Sequence, residues 1–407
     1  RVLMQPRCLL PPWNANSKRG LEAAAMDKPR FHRKGAKAQR TQSKARTGWF
    51  VSHVPWFIAF LCGPSRLCVF AVMLFALSAC TKAPLHQQES FVFGTRVEIR
   101  IAGLDEAQAR PAAAAVLAEF DRLHRQFHAW QPSELSALNT ALAAGKPHDV
   151  SPELAELLRD AQRLSRLGDG LFDPGIGTLV RLWGFHAEDF KPQLPDPAAI
   201  AHWRSEHPGI ADLELDDLHA RSSKRQLAID FGGYLKGVAL DRAAAILRSH
   251  GIRNALINIG GNVMALGTKN GEAWRVGIQH PRQPGALATL ALHDGEAIGT
   301  SGDYQRYFEL NGQRYCHLLD PRSGAPVAHT QALTVLITPR PAAGTLSDMA
   351  SKPLFIAGQD WLQVARRLGV SHVLRVDSTG GLQASESLFQ RLTFSGKPPP
   401  TVTRFPE

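Results

Sequence analysis

The chain has 407 residues, 44% apolar and 20% charged, a globular composition that excludes a fibrous, collagen-like or wholly disordered protein. Its 47 Lys and Arg exceed its 36 Asp and Glu, for a formal charge of +11, but the excess is local. Residues 1–79 hold 13 of the basic and 2 of the acidic residues, which leaves 34 of each sign in residues 80–407 and argues against a nucleic-acid partner.

Residues 1–50 are rich in Arg, Lys, Pro and Gln and lack sustained apolar periodicity. They are expected to be a disordered basic leader upstream of the true start. Residues 51–79 read as a signal-peptide region. The uninterrupted apolar run Leu67–Ala79 is too short to cross a bilayer as a stable helix and has the length of a signal h-region. It ends in Leu77-Ser78-Ala79-Cys80, which resembles the bacterial lipobox, whose cysteine becomes lipidated. A buried core helix, or an anchor formed with Val51–Cys62, is the alternative. Basic flank, apolar core, small residues and cysteine in that order favour the lipobox. Cys80 is thus expected to anchor the protein by lipid to a bacterial membrane, inner or outer, facing the periplasm. Beyond Cys80 the only cysteine is Cys316, so an exported fold has no internal disulfide and must be held by its core.

Residues 80–90 read as a polar tether, residues 91–375 as the main domain and residues 376–407 as a C-terminal tail. Alternation through Phe91, Phe93 and Thr95–Ile101 predicts a strand. Val116, Leu117, Phe120, Leu123 and Phe127 share one face of a helix over 104–127, with Pro111 in its first turn or at a break. A second amphipathic helix is predicted over 152–167, stopped by Gly168. Residues 186–222 are charged and Pro-containing and read as a surface excursion. A strand over 226–231 leads through a Gly-Gly turn into a helix over 234–249. Strands follow at 255–259, 274–279, in short pieces over 287–319, and at 332–338. Helices are expected at 348–357 and 360–368. Helices and hairpin strands without regular βα alternation indicate an α+β fold.

Five segments could carry chemistry. Asp230-Phe231-Gly232-Gly233-Tyr234-Leu235-Lys236-Gly237 places an acid before a glycine turn and a lysine in the first turn of a helix, where free amides attract phosphate. A Gly-Gly turn is more often only a turn. Asn258-Ile259-Gly260-Gly261-Asn262 is on its own a tight loop. Gly299-Thr300-Ser301-Gly302-Asp303-Tyr304 and His317-Leu318-Leu319-Asp320-Pro321-Arg322-Ser323-Gly324 gather hydroxyls, a histidine and charges in loops after short strands. A lone histidine is more often structural, and Asp-Pro-Arg-Ser-Gly could be an ordinary turn. In Ser347-Asp348-Met349-Ala350-Ser351-Lys352, Ser347 or Asp348 would commonly cap its own helix, whereas the Asp348 carboxylate could instead bind a hard cation.

Together with Phe93-Gly94-Thr95, Ser133-Glu134-Leu135-Ser136 and Phe172-Asp173-Pro174, these segments occur in an order that resembles the FAD:protein FMN transferase (ApbE) family over about residues 90–370. The resemblance implies a T-fold-related mixed domain of antiparallel sheets and packed helices. It further implies transfer of the FMN moiety of FAD to a Thr or Ser hydroxyl of a target protein, with release of AMP and assistance from Mg²⁺. Family targets include subunits of membrane redox complexes. The resemblance assigns FAD contacts to Phe93, Trp130, Leu171, Phe172, Asp173, Asp230, Lys236 and Leu319. It assigns metal contacts to the Gly233 carbonyl and Asp348, and the proton-accepting role to His317, with Asp230 as the alternative base. At the position of a family threonine that ligates the metal this chain has Lys352, and Pro353 after it disfavours helical geometry there. An ammonium cannot ligate Mg²⁺. Lys352 either replaces part of the ion's charge or leaves a water in its place. Two rival functions follow: an exported FAD carrier, and a Mg²⁺-dependent FAD pyrophosphatase.

Overall fold

Alternating Val97, Ile99 and Ile101, all fully buried, press one side of a strand into the core. The structure, a computed structural model, describes residues 84–406 except 188–190 and 397. The leader, the apolar run and Cys80 lie outside the described residues. Strand β1 (Leu85–Val92) pairs antiparallel with β2 (Thr95–Ala102), Leu85 opposite Ala102 and Val92 opposite Thr95. The tether expected at 80–90 is therefore strand from Leu85 onward. Its half-buried residues are the polar His86, Gln88 and Ser90, so an edge strand with one wet face has the composition of a linker.

Helix α1 (Glu106–Gln126) is capped by Asp105, whose side chain accepts from the Gln108 amide, and it continues through Pro111, which lies beyond the first turn. Helix α2 (Glu134–Ala143) begins with a capping box between Ser133 and Ser136. Helix α3 (Pro152–Leu167) has the predicted bounds. The excursion at 186–222 is more ordered than its composition suggests. After a short α4 (Gly177–Leu182), α5 (Pro197–Glu206) buries Trp203 completely, and His219–Arg221 pairs with Glu214–Asp216 on one side and with His148–Asp149 on the other. The strand predicted at 226–231 does not form beyond one bridge, Ala228 to Ile176. Its amides turn elsewhere: Ile229 N–H to Asn139 Oδ1 at 2.7 Å and Asp230 N–H to the Pro174 carbonyl at 2.8 Å.

Helix α6 (Leu235–Ser249) follows, then β3 (Ala255–Ile259), β4 (Asn262–Leu266), β5 (Trp274–Gln279), β6 (Ala286–Leu292) and β7 (Ala297–Gly302). A hairpin of β8 (Tyr307–Leu310) and β9 (Gln313–Cys316) precedes β10 (Thr330–Ile337), α7 (Ala343–Ala357) and α8 (Trp361–Leu368). The chain ends with β11 (His372–Asp377), β12 (Leu382–Ser385) and β13 (Val402–Phe405). The main sheet has the order β1-β2-β3-β4-β7-β10-β11-β12-β13, and only β12–β13 is parallel. The expected C-terminal tail at 376–407 thus contributes two strands, with Ala384 buried and Phe405 set edge-on to Trp361.

One sheet face packs on the helices through Ile99, Ile257, Leu333, Val335 and Val373. The opposite face packs through Leu256, Ile298, Leu336 and Leu374 on β5 and β6. These are the α+β layers expected. Helix α7 sits very close to its neighbours. A Cβ on Gly299 would lie 2.0 Å from the Ser347 carbonyl oxygen, and one on Gly237 only 2.6 Å from the Gly344 oxygen and 2.7 Å from Thr345 Cα. Backbone atoms cannot move aside as a side chain can. Gly237→Ala is therefore expected to lower stability by about 1–3 kcal/mol through forced separation of α6 and α7. A urea or thermal denaturation midpoint equal to that of the parent chain would refute this close fit.

Candidate functional site

The site is built where α6 and α7 cap each other. Tyr234, at the start of α6, offers no side-chain cap, and the Gly237 amide instead donates to Asp348 Oδ2 of α7 at 2.9 Å. Ala342, at the start of α7, offers none either. Asp241 of α6 accepts from the Gly344 amide at 2.8 Å and from the Thr345 amide and hydroxyl at 2.8 and 2.7 Å. Each helix thus satisfies the orphan donors of the other. The local cap expected of Ser347 or Asp348 is not observed, because α7 begins at Ala343. Ser347 donates to the Gly344 carbonyl within its own helix, and Asp348 sits in the second turn, fully buried. The helix also runs through Pro353, so Lys352 lies on the same helical face as Asp348.

Two lysines flank this carboxylate, and Arg306 stands near one of them, Lys236. Lys352 forms an ion pair with Asp348 Oδ1 and donates to the Asp348 carbonyl at 2.8 Å. Its stem crosses Gly233, where a Cβ would stand 3.3 Å from Lys352 Cε. Burial alone would raise the Asp348 pKa, but the Lys352 and Lys236 ammonium groups, with the Gly237 amide, hold it below the usual carboxylate range. Lys236 has no ion-pair partner among the described residues. Burial lowers its pKa, Asp348 opposes this, and Lys352 and Arg306 lower it further. Arg306 donates to the Phe185 carbonyl at 2.7 Å, and it is a site cation that sequence reasoning missed. Its only signal was its place two residues beyond the Gly299–Tyr304 segment. The α6 amides were expected to be free for phosphate, yet those of Tyr234 and Leu235 bond to the Phe231 carbonyl and that of Gly237 to Asp348. Anion attraction here rests mainly on side chains.

These donors do not fit Mg²⁺. One Asp348 oxygen faces an amide and the other an ammonium, and the position expected to supply a hydroxyl supplies Lys352. Ammonium and amide offer no lone pair to a cation that requires about six oxygens. Among the described residues no cluster of three or more His, Cys, Asp or Glu could hold a metal. Gly233 and Asp348, the metal contacts that the resemblance implies, meet at Lys352, which stands at the position of the family threonine and forms an ion pair with Asp348 beside the glycine.

His317 joins the same group. Its Nδ1 lies 3.1 Å from the Arg306 carbonyl oxygen, which fixes Nδ1 as the donor and leaves Nε2 as the acceptor. Burial, Arg306 and Lys236 push its pKa down to about 3. Asp230 accepts from the Gly232 amide at 2.7 Å. Burial raises its pKa, opposed by that amide and by Arg306, His128 and the Trp130 side chain. Trp130 stands edge-on to His186, ring centroids 5.7 Å apart, with the Arg181 guanidinium 5.4 Å from its own centroid. Phe93 turns at positive φ between β1 and β2 and packs on Phe120 and His124.

Other predicted residues serve the frame. Leu171, Phe172 and Leu319 are buried apolar side chains, Phe172 against Tyr234 and Leu319 in a cluster with Trp183 and Phe308. Asp173 accepts from the Gly175 and Ile210 amides at 2.7 and 2.9 Å, and burial pushes its pKa up to about 6. Thr300 bonds to Thr334 and Ser301 to Ser351, tying β7 to β10 and to α7. Asn262 Oδ1 accepts from the Thr300 amide at 3.3 Å, while its buried Nδ2 has no partner among the described residues. Cys316 is buried, with a thiol pushed up to about 12, which suits packing.

The His317 shift has a consequence for folding. An unfolded histidine titrates near 6.5 and the folded one near 3, so between these values the unfolded chain binds more protons. The stability from neutral His317 is fully present above about pH 6.5 and is lost as pH falls toward 3. His317→Gln should flatten the fall of the urea midpoint between about pH 6.5 and 4. An unaltered slope would contradict the assignment.

The profile of the ApbE family matches residues 93–374. The FAD:protein FMN transferase of Rhodobacter capsulatus is 40% identical over 311 residues, 76% of this chain and 59% of that protein, so this chain spans less than two thirds of that relative's length. The protein of the same name from Haemophilus influenzae is 32% identical over 64% of this chain and 77% of its own. The crystal structure of the ApbE protein of Thermotoga maritima superposes with a TM-score of 0.69 at 31% identity, covering 76% of this chain and 99% of that one. The apo flavinyl transferase ApbE of Pseudomonas stutzeri gives 0.66 at 27% identity, over 78% and 99%. A shared fold, a match across most of the main domain, and the meeting of Lys236, His317, Asp348 and Lys352 from three of the ordered segments lead to one conclusion: this chain belongs to the ApbE family.

Proposed function

We propose that this chain transfers the FMN half of FAD to a threonine or serine hydroxyl of a target protein and releases AMP. The observation that carries the reading is the convergence of Lys236, Lys352, Arg306, His317 and Asp230 around the Asp348-capped start of α6. The names of the relatives agree with it. Three cations beside two carboxylates suit a diphosphate, and phosphoryl transfer depends mainly on positioning and charge neutralisation.

In the reaction the target hydroxyl oxygen bonds to the phosphorus on the riboflavin side. The bond from that phosphorus to the bridging oxygen breaks, and the oxygen departs as part of AMP. The hydroxyl proton passes to His317 Nε2 or to the Asp230 carboxylate. Arg306 and Lys236 depress the basicity of His317, and a bound diphosphate would offset both charges and restore it. Asp230, with its raised pKa, is the more basic carboxylate of the site. Trp130 supplies an aromatic face for the flavin ring, close to Asp230. The proposal includes a lipid anchor at Cys80 and a periplasm-facing target such as a subunit of a membrane redox complex, supported by the order of basic, apolar and small residues before that cysteine.

The test is direct. The full chain is incubated with FAD and a domain that bears an acceptor threonine, and the products are separated on a denaturing gel under ultraviolet light. A fluorescent target band and free AMP are expected. Free FMN and AMP without labelling would indicate a pyrophosphatase, and unchanged bound FAD a carrier. Lys236→Met should weaken FAD binding by about tenfold or more, as expected for loss of a charge partner worth ~1.4 kcal/mol or more.

A further inference from the structure

We propose that Lys352 is this chain's built-in counter-ion for the diphosphate, so that FAD binding and FMN transfer proceed without a divalent cation. The inference rests on the reading above and specifies how its site neutralises charge. Lys352 lies four residues after Asp348, on the same face of α7, with its side chain only 14% exposed and its partner's fully buried. An ammonium has three N–H donors, and two are committed, to Asp348 Oδ1 and to the Asp348 carbonyl oxygen. The third remains for a phosphate oxygen.

The surroundings favour the lysine and oppose a metal. Gly233 makes room for the stem, since a side chain there would crowd Lys352 Cε at 3.3 Å. Asp348 Oδ2 is held by the Gly237 amide, so the carboxylate cannot turn both oxygens toward an ion. A divalent cation entering here would have to displace the ammonium from Oδ1 and then share a low-dielectric site with that positive charge. Lys236 and Arg306 add two cations toward the same place. Lys352, Lys236 and Arg306 against Asp348 and Asp230 leave the site with one net positive charge, which offsets half the charge of an incoming dianion.

The experiment combines binding and transfer with the full chain. FAD is titrated by quenching of flavin fluorescence in excess EDTA and in millimolar Mg²⁺, and Mn²⁺ alone is used as a paramagnetic probe of metal binding. The wild-type affinity should agree within about twofold between the two buffers, and no stoichiometric Mn²⁺ site should appear. Lys352→Thr should lose about tenfold or more in affinity in EDTA and recover with Mg²⁺. The proposal is overturned if Mg²⁺ strengthens wild-type binding by about tenfold, if one Mn²⁺ binds per chain, or if Lys352→Thr binds FAD in EDTA as the parent does. The wild-type arms need no variant and stand even if Lys352→Thr, which leaves Asp348 buried and unpaired, fails to fold. Metal-independent binding without labelling of the target would sink the transferase reading and leave the counter-ion in place. Labelling that requires Mg²⁺ would do the reverse, and absence of FAD binding in both buffers would overturn both.

Discussion

Reciprocal capping of α6 and α7 is the constraint from which the site follows. Neither helix carries a capping side chain at its own first residue, so each start would leave backbone donors unsatisfied in a buried place. Asp241 and Asp348 supply these missing acceptors across the interface. That exchange requires the helices to approach until only glycine fits at 237 and 344. Gly299 lets α7 come equally close to β7 below. The distance between elements that carry Lys236 and those that carry Asp348 and Lys352 is thereby fixed by backbone contact, which deforms far less than side-chain packing.

A buried carboxylate in this position needs compensation, and its chemistry comes from how that is arranged. Asp348 is held ionised by Lys352 and Lys236 against the cost of its burial. The same cations, with Arg306, depress the basicity of His317. Structure and function therefore use one set of charges. The pair that secures the helices also sets the electrostatic potential an anionic substrate would meet, and an anion placed there would shift the histidine back toward its ordinary proton affinity.

Much of the frame was legible because it rests on local patterns. Helix α3 announced itself by Leu154, Leu157, Leu158, Ala161 and Leu164 on one face and Gly168 after them. Strand β5 alternates buried Trp274, Val276 and Ile278 with exposed neighbours. Local reading failed where long-range partners supplied the hydrogen bonds. Residues 226–231 have strand composition, but their amides go to Asn139 and Pro174. Residues 85–90 look like a linker because an edge strand with a solvated face needs few apolar side chains. The C-terminal strands were lost for a similar reason, since β12 and β13 are four residues each and pair in parallel across an intervening helix.

By itself the sequence determined which residue types were present and in what order: glycines at 233, 237 and 299, the acid at 348, the lysine four residues on, and the histidine at 317. That order was enough for the resemblance to a family and for the departure at Lys352. Only the tertiary structure decided that Asp348 caps a different helix from its own, that Lys352 pairs with it, and that Arg306 enters the site. The physical reason is that capping and electrostatic depression of a pKa act through space between groups up to more than a hundred positions apart, while the four-residue pair forms because tertiary packing carries the helix on through Pro353.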